Sequence, residues 1–339
     1  MILVTGGLGY IGSHTVVELL ENHYEVLIVD NLSNSSISVL ENIKSIISGN
    51  VYFEKIDLCN PKDLSLVFQK YPNIKAVIHF AALKSVSESI TKPIDYYKNN
   101  ISSVLNLIDE INKKSEFCPF IFSSSCTVYG KATKFPITEN EPTKPAESPY
   151  GNTKKIAEEI LNDYALSKKT FDVISLRYFN PIGAHPSLKI GELPINKPEN
   201  LVPMITKTAI GSNKKLIVHG SDYNTPDGSC VRDYIHITDL AKAHLIALKK
   251  LLSKDSSKSH EVYNLGTGNG TSVFELIRLF ESISGLKLNY EIGPRRNGDV
   301  PISYANPDKA KSGLGWKSNL SIKEALTSAW EWEKKINNK

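Results

Sequence analysis

A tyrosine and a lysine lie four residues apart in the segment SPYGNTKK, residues 148–155. Ser148 can cap a helix and Pro149 suits its first turn, so Tyr150 and Lys154 are expected on one helix face. A free phenol, with a pKa near 10, is a poor base at neutral pH. An ammonium about 4 Å away is worth roughly 4 kcal/mol, which would bring the pKa of the phenol to about 7. The pair therefore predicts a tyrosine that lysine activates as an acid/base group.

Two other parts of the chain decide how this pair is interpreted. On its own, a YxxxK spacing more often marks an exposed helix start with an incidental tyrosine and lysine. Here a glycine-rich turn follows the first apolar segment, and FIFSSSCTVYG places a serine cluster about 25 residues before Tyr150. A hydroxyl, a phenol and an ammonium in a nucleotide-binding chain favour proton transfer at a bound substrate.

The glycine-rich turn VTGGLGYIG follows the first predicted strand and opens the first predicted helix. Gly7, Gly9 and Gly12 match GxGxxG, while Gly6, Gly9 and Gly12 match a GxxGxxG spacing. Glycine is needed because a side chain would keep the backbone away from a pyrophosphate at the helix N-terminus. The alternative is a tight turn with no ligand, but the flanking strand and helix favour a dinucleotide.

Two aspartates follow the next predicted strands. Asp30 ends the second strand, where a carboxylate accepts hydrogen bonds from the hydroxyls of an adenine ribose. It would repel a 2′-phosphate, and the following NLSNS offers no arginine to bind one, so NAD is favoured over NADP. Asp57 ends the third strand, where it could meet the adenine amino group; an aspartate that only makes a turn is nearly as consistent.

Short apolar segments alternate with helical patterns in the first half of the chain. The predicted buried strands are MILVTG, YEVLIVD, VYFEKIDL, AVIHFAA, PFIFSSS and FDVISLRYFN. This alternation predicts an α/β protein with a doubly wound (Rossmann) parallel sheet and a smaller mixed α/β substrate-binding domain. Residues 1–180 would bind the dinucleotide and residues 181–339 the substrate, with residues 234–268 returning to the main sheet.

The composition is that of an ordinary globular protein, with 41% hydrophobic and 22% charged residues. The net charge of +4 is scattered along the chain, so nucleic acid is not expected as a partner. Four dispersed cysteines and eight histidines lack the spacing of disulfide frameworks or metal sites, so we expect reduced thiols and no metal. With no apolar leader and no run of 18 apolar residues, a cytoplasmic protein outside the membrane is expected.

Segments spread over nearly the whole chain resemble the extended short-chain dehydrogenase/reductase family, and within it the UDP-sugar 4-epimerases. Any one of these segments is weak evidence, but together they are highly specific. They are TGGLGYIGSHT, VIHFAALKSVSES, FSSSCTVYG, SPYGNTK, LRYFNPIGAHPS, VRDYIHITDLA, YNLGTG and RRNGDVPISYANP.

The resemblance implies an NAD-dependent epimerisation at C4 of a UDP-hexose, UDP-galactose or UDP-glucose, through a transient 4-keto sugar. Ser125, placed by its distance from Tyr150, would hydrogen-bond the 4-hydroxyl of the sugar. Tyr150 would take that proton while C4 gives its hydride to NAD, and the hydride would return to the opposite face. Lys154 would also hold the hydroxyls of the nicotinamide ribose.

The resemblance also implies the contacts with NAD. Judged alone, Lys84 and Asn99 would more often be solvated surface residues, and only the family pattern promotes them. The implied cofactor contacts are Gly6, Gly9, Tyr10, Ile11, Gly12, Asp30, Asn31, Asn34, Asp57, Leu58, Phe80, Ala81, Lys84, Asn99, Tyr150, Lys154 and Tyr178.

On the substrate side, the resemblance makes Arg232 and Arg296 a clamp for the diphosphate and places Asp299 at the uridine ribose. Paired arginines suit two negative charges because each guanidinium can bind bidentately. Judged alone, Arg232 could merely pair with Asp233. The implied substrate contacts are Lys84, Ser125, Tyr150, Phe179, Asn180, Asn200, Leu201, Arg232, Arg296, Asp299 and Ser303.

Two positions depart from the family pattern. Epimerases restricted to plain hexoses carry a bulky tyrosine where this chain has Ser303. The smaller residue leaves room for an N-acetyl group at C2, so UDP-GalNAc and UDP-GlcNAc are expected as further substrates. His219, in IVHG, stands near the expected uracil site where an aromatic or apolar residue is usual.

Other activities of the fold are less consistent with the sequence. Related dehydratases place Asp-Glu just after the catalytic hydroxyl and related decarboxylases a Glu, whereas this chain has Cys126 and Thr127. A catalytically silent NAD-binding protein would be expected to lack at least one of the three catalytic groups. The resemblance also implies a homodimer, in which helices near residues 98–114 and 150–168 pair across a two-fold axis.

Overall fold

A parallel sheet of seven strands lies at the centre of the computed structural model, which describes residues 1–195, 200–256, 258–296 and 298–338. Its strands are β1 (Ile2–Thr5), β2 (Val26–Val29), β3 (Val51–Glu54), β4 (Ala76–His79), β5 (Phe120–Ser125), β6 (Val173–Tyr178) and β11 (His260–Leu265). The strand order is β11-β6-β5-β4-β1-β2-β3. From β1 the chain adds strands on one side and then on the other, so the predicted doubly wound fold is confirmed.

The apolar segments form strands because the sheet is buried on both faces. Successive side chains of a strand point to opposite sides, so β1 contributes Val4 to one core and Leu3 to the other. Such strands are expected as continuous apolar runs rather than as alternating patterns. Each of the six segments predicted from the sequence contains one strand of the sheet.

Helices cover both faces of the central sheet. They are α1 (Tyr10–Glu21), α2 (Ser38–Ile46), α3 (Pro61–Lys70), α4 (Val86–Thr91), α5 (Pro93–Asn112), α6 (Pro149–Ser167) and α8 (Ile237–Leu252). On one face α1 packs against α8, and on the other α5 packs against α6. No helix in the described ranges combines the length and apolarity needed to cross a bilayer.

Several of the remaining elements surround a third apolar core. The strands are β7 (Asn180–Ile182), β8 (Leu216–His219), β9 (Val231–Arg232), β10 (Tyr234–His236), β12 (Thr271–Ser272), β13 (Tyr290–Gly293) and β14 (Ile302–Ser303). The helices are α7 (Leu201–Ala209), α9 (Val273–Ser284), α10 (Asp308–Leu314) and α11 (Ile322–Ile336). Phe280 and Trp330 meet edge to face in this core, with ring centroids 5.5 Å apart.

The parallel sheet collects chemically useful residues at one edge. All seven strands run in the same direction, so the residues at their carboxyl ends face the same crevice. Gly6 follows β1, Asp30 follows β2, Ser125 ends β5 and Tyr178 ends β6. This edge is therefore where the site must be sought.

Candidate active site

The serine and the tyrosine–lysine pair meet at the junction between β5 and α6. Ser125 is the last residue of β5 and opens the 3₁₀ turn Cys126–Tyr129. The side chain of Ser148 accepts a hydrogen bond from the backbone of Gly151 at 3.2 Å, and α6 begins at Pro149. The predicted cap is confirmed, and it sets Tyr150 and Lys154 in the first two turns of the helix.

Lys154 is buried beneath the phenol. Its Nζ donates to the carbonyl of Ser123 at 2.7 Å. The same nitrogen lies 4.9 Å from the ring centroid of Phe122 and 6.0 Å from that of Tyr150. Burial lowers the pKa of Lys154 from 10.5 to about 7, although the carboxylate of Glu158 acts in the opposite direction. The ammonium is therefore easily deprotonated near neutral pH.

The expected activation of Tyr150 by Lys154 is wrong for the chain's own groups. Burial raises the pKa of Tyr150 to about 12, while the hydrogen bond with Ser125 lowers it. Two physical reasons explain the difference. Removal of water disfavours the phenolate. The hydrogen bond of Lys154 Nζ goes to the carbonyl of Ser123 rather than to the phenol. The phenol is thus held protonated at neutral pH.

The glycine-rich turn forms a close backbone cradle between β1 and α1. Gly6 has φ +65°, and a Cβ there would lie 2.7 Å from the backbone nitrogen of Ala81. A Cβ on Gly12 would lie 2.3 Å from the carbonyl oxygen of Gly6. Gly9 caps α1, which begins at Tyr10 and points its N-terminus out of the turn. The glycines bring the backbone of the turn close to the start of α1, a geometry that suits a pyrophosphate at the helix N-terminus.

Asp30 is buried beside the same turn. Its carboxylate accepts hydrogen bonds from the backbone of Leu8 at 3.1 Å, the backbone of Leu32 at 2.9 Å and the hydroxyl of Ser35 at 2.8 Å. These bonds fix the carboxylate at the carboxyl end of β2, where it borders the glycine turn. The turn and Asp30 together fit a dinucleotide whose adenine ribose carries no 2′-phosphate.

Most other residues of the implied cofactor set lie at the same edge of the sheet. Asp57 accepts a hydrogen bond from the backbone of Cys59 at 2.8 Å, which is the contact of a turn aspartate. The phenol of Tyr10 donates to the carbonyl of Gly183 at 2.6 Å. Five of the remaining residues follow the ends of strands in the order β2, β3 and β4, and one more lies further along the last loop: Asn31, Asn34, Leu58, Phe80, Ala81 and Lys84. Ile11 lies in α1 and Asn99 lies in α5.

Tyr178, at the end of β6, has a partner that the sequence did not suggest. Its hydroxyl contacts Nε2 of His244, a residue of α8. Nδ1 of His244 lies 2.9 Å from the carbonyl of Leu240, which can only accept, so Nδ1 carries the proton and Nε2 accepts from the phenol. The imidazole therefore orients the hydroxyl of Tyr178.

The two arginines implied for the diphosphate share one carboxylate. Arg296 donates to Asp299 through two nitrogens, at 3.1 and 2.9 Å, and Arg232 lies 3.7 Å from Asp299. Asp233 instead accepts hydrogen bonds from Thr267, from the backbone of residue 268 and from the backbone of residue 305. The alternative in which Arg232 merely pairs with Asp233 is therefore wrong.

A largely buried glutamate in the loop after β7, Glu192, links two further residues of the implied set. Glu192 accepts a hydrogen bond from Asn200 at 2.6 Å and lies 3.9 Å from Nζ of Lys84. Burial raises the pKa of this carboxyl. The sequence gives no signal for Glu192, since a single glutamate in a proline-rich loop carries no recognisable spacing.

The remaining substrate-side residues lie around this crevice. Phe179 is buried between β6 and β7, Asn180 begins β7, and Leu201 begins α7. Ser303 ends β14 and is buried, with its hydroxyl against the thiol of Cys126. His219 is exposed at the end of β8. Within the described residues, no cluster of three potential metal ligands is present.

Comparisons with known proteins agree with this class of fold and site. The doubly wound sheet with a glycine turn and a Ser–Tyr–Lys set defines an extended short-chain dehydrogenase/reductase. Residues 3–329 match the family described as GDP-mannose 4,6 dehydratase. The chain is 50% identical to the bifunctional protein GAL10 of Pachysolen tannophilus over 98% of its own length, but it spans only 49% of that protein.

Two full-length relatives define the family more closely. The UDP-glucose 4-epimerase of Dictyostelium discoideum is 48% identical over 98% of this chain and 95% of its own. The crystal structure of UDP-glucose 4-epimerase from Bifidobacterium longum, in complex with NAD⁺ and UDP, superposes with a TM-score of 0.95. It is 44% identical and covers 99% of both chains. This chain belongs to the UDP-glucose 4-epimerase family.

The lowered pKa of Lys154 predicts a pH-dependent stability. Between about pH 7 and pH 10 the unfolded chain binds a proton on Lys154 that the folded chain has released, so the free energy of unfolding should rise with pH. Lys154→Met removes this contribution. In urea titrations of nucleotide-free protein, the wild type should gain stability over Lys154→Met between about pH 7 and pH 9.5. Parallel pH profiles would contradict the assignment.

Proposed function

We propose that the protein interconverts UDP-galactose and UDP-glucose with NAD as its cofactor, through a 4-keto intermediate. The observation that carries this proposal is the assembly of Ser125, Tyr150 and Lys154 at the sheet edge that also presents the glycine turn. The extent of the likeness to UDP-glucose 4-epimerases supports it, since that likeness covers the whole of the fold and both sides of the crevice.

The cofactor would lie along the carboxyl edge of the sheet. Gly6 and Gly12 allow the close packing of the turn against the chain's own backbone, which would present the N-terminus of α1 to the pyrophosphate, and Asp30 would accept from the adenine ribose. A bound NAD⁺ supplies a hydride acceptor for C4 and a positive charge that favours the phenolate of Tyr150. We assign residues 1–180 with 234–268 to cofactor binding, because β11 completes the same sheet, and the rest of 181–339 to the substrate.

The chain's own part in the reaction is to move one proton at a controlled position. Ser125 would hold the 4-hydroxyl, and Tyr150 would remove its proton as the 4-keto sugar forms; Tyr150 would return a proton to O4 when the hydride comes back to the opposite face of C4. Because burial keeps the phenol protonated, base catalysis needs the added positive charge of the cofactor. The chemistry is thereby confined to molecules with the cofactor in place.

The arginine pair would bind the diphosphate of the substrate. In the protein alone, Asp299 pairs with both Arg296 and Arg232, which leaves one positive charge uncompensated within this group of three. A diphosphate offers several oxygens to the same guanidinium groups and would release Asp299 to accept from ribose hydroxyls. Lys84, Phe179, Asn180, Asn200 and Leu201 would complete the substrate contacts.

Dehydration, the reaction in the description of the matching family, is the second candidate and is disfavoured by one observation. Elimination of water requires a proton donor beside the reacting carbon. The residues after Ser125 are Cys126 and Thr127, and neither is a carboxylic acid. Burial raises the pKa of Cys126, which makes this thiol a weak acid. The site therefore suits reversible oxidation without elimination.

Replacement of the phenol tests the proposed reaction directly. Tyr150→Phe should lower kcat for UDP-galactose conversion by about 10²-fold to 10⁴-fold, because general acid–base catalysis is lost. The product is measured as UDP-glucose formed at saturating substrate. Tyr164→Phe is the matched control, since its hydroxyl lies in the same helix but contacts Asn112 at 3.2 Å, away from the site. An inactive wild type, or full activity in Tyr150→Phe, would contradict the proposal.

We further propose that the protein accepts UDP-GlcNAc and UDP-GalNAc. Ser303 is small and buried, and its hydroxyl contacts the thiol of Cys126, the residue after Ser125. We propose that Ser303 and Cys126 form one wall of the sugar site. A larger C2 substituent would need space at this wall. The small hydroxyl at position 303 supports such space, and a tyrosine there would fill it.

Enlargement of residue 303 should separate the two substrate classes. Ser303→Tyr is expected to lower kcat/KM for UDP-GlcNAc at least tenfold, a steric loss of about 1–3 kcal/mol, while UDP-galactose conversion changes little. Ser303→Ala, which keeps the volume small, should retain both activities. No turnover of UDP-GlcNAc by a wild type that converts UDP-galactose would overturn this part.

We also propose a homodimer that pairs α5 and α6 across a two-fold axis. Large apolar side chains are exposed on these helices: Ile94 (61%), Leu105 (43%) and Leu166 (73%). Such groups on adjacent helices suit burial against a second copy.

We also propose a cytoplasmic location. The described cysteines are all free, which is consistent with a reducing compartment.

A charge on this surface should weaken the dimer. Leu105→Glu is expected to shift sedimentation towards the monomer, because a buried carboxylate without a partner is strongly disfavoured. Leu66→Glu is the control, since Leu66 is 61% exposed on α3, outside the proposed surface. A monomeric wild type at micromolar concentration, or an unchanged dimer in Leu105→Glu, would rule out this arrangement.

A further inference from the structure

A buried charge cluster lies one turn beyond the lysine of the site. It consists of Glu158 on α6, Arg177 on β6 and Ser124 on β5. Arg177 donates to both carboxylate oxygens of Glu158, at 3.0 and 2.6 Å, and the hydroxyl of Ser124 donates to the same carboxylate at 2.5 Å. All three side chains are nearly inaccessible to solvent. None of them has been assigned a contact with substrate or cofactor above.

Stability alone is a weak explanation for this cluster. Removal of two charges from water costs about as much as their attraction returns, and apolar residues of similar size often serve as well. The location is more informative. Glu158 joins the helix that carries Tyr150 to the strand that ends in Ser125.

Two consecutive residues of β5 are tied to α6. Lys154 donates to the carbonyl of Ser123, and Ser124 donates to Glu158. Ser125 is the next residue. Its hydroxyl faces Tyr150, which lies one turn before Lys154 and two turns before Glu158 on the helix. These two hydrogen bonds therefore fix the position of the end of β5 along the axis of α6.

Arg177 and Glu158 together carry no net charge. We therefore ascribe the effect of this cluster on the site to its hydrogen bonds rather than to its electric field. Arg177 neutralises the carboxylate and stacks 4.7 Å above the ring of Tyr129, in the 3₁₀ turn after β5. His260, on β11, has its pKa lowered by burial to about 4 and adds no charge at neutral pH. Arg177 thus fixes the carboxylate of Glu158, which accepts the hydrogen bond from Ser124.

We propose that Glu158 is a positioning residue, which holds Ser125 against Tyr150 through its hydrogen bond with Ser124. This inference rests on the proposed function, since it concerns the geometry of that reaction. Loss of the tether would let the strand end and the helix move relative to each other. A displacement of about 1 Å between reacting groups can cost on the order of 10²-fold in rate.

Ser124→Ala tests the tether while the ion pair stays intact. In the NAD-loaded protein, kcat for UDP-galactose should fall about tenfold or more, with KM within about twofold and unchanged NAD content. Ser175→Ala is the matched control: it removes a buried serine on the adjacent strand, whose hydroxyl lies 2.9 Å from Nε2 of His260, and should leave kcat unchanged. Wild-type kcat in folded Ser124→Ala would overturn the inference.

A second pair of variants guards against loss of folding. Arg177→Met combined with Glu158→Gln keeps an acceptor at position 158, whereas Arg177→Met combined with Glu158→Met does not, and the two proteins differ little in volume. The glutamine protein should have a kcat about tenfold above the methionine protein at equal NAD content. Equal values would overturn the proposed tether. If the wild type itself fails to convert UDP-galactose, the proposed function fails and not the tether alone.

Discussion

Exclusion of water from the junction between β5 and α6 controls the protonation of the groups proposed to act there. The same burial that raises the pKa of Tyr150 to about 12 lowers that of Lys154 to about 7. Both effects favour neutral forms, because a charge in this environment loses its hydration. One added positive charge would therefore lower the pKa of both residues, which favours the phenolate of Tyr150 and the neutral amine of Lys154. A site of this kind is poised by its environment rather than by one ion pair.

The fold supplies this environment through parallel strands and their helices. β5 pairs with β4 and β6, and α6 packs on one face of the sheet, so the groups proposed to act lie at the edge of a packed core rather than on a loop. The glycine turn lies at the same edge because β1 is in the same sheet. The residues proposed to bind the substrate come from a different part of the chain, around β9 and β14, where Ser303 pairs with Arg232.

Local features of the sequence predicted the fold and much of the site. The apolar segments identified six strands, the Ser148–Pro149 pair identified the start of α6, and the glycine spacing identified the turn between β1 and α1. Each of these signals acts within a few residues. They require no knowledge of which strand lies beside which.

The contacts that the sequence did not predict all join distant segments. The pairing of Glu158 with Arg177 and Ser124 depends on three elements meeting in the core. The choice of the carbonyl of Ser123 by Lys154 likewise depends on the depth of burial, which spacing alone cannot give. The spacing YxxxKxxxE was visible in the sequence, but only the fold shows that its glutamate points inward.

The most direct test of this account is the ionisation of Lys154 itself. In protein freed of nucleotide and labelled at the lysine ε-carbons, NMR titration would follow its signal, assigned by its loss in Lys154→Met. We expect a midpoint near pH 7, far below the ordinary lysine value of 10.5. A midpoint near the ordinary value of 10.5 would contradict the claim that burial sets the charges of this site.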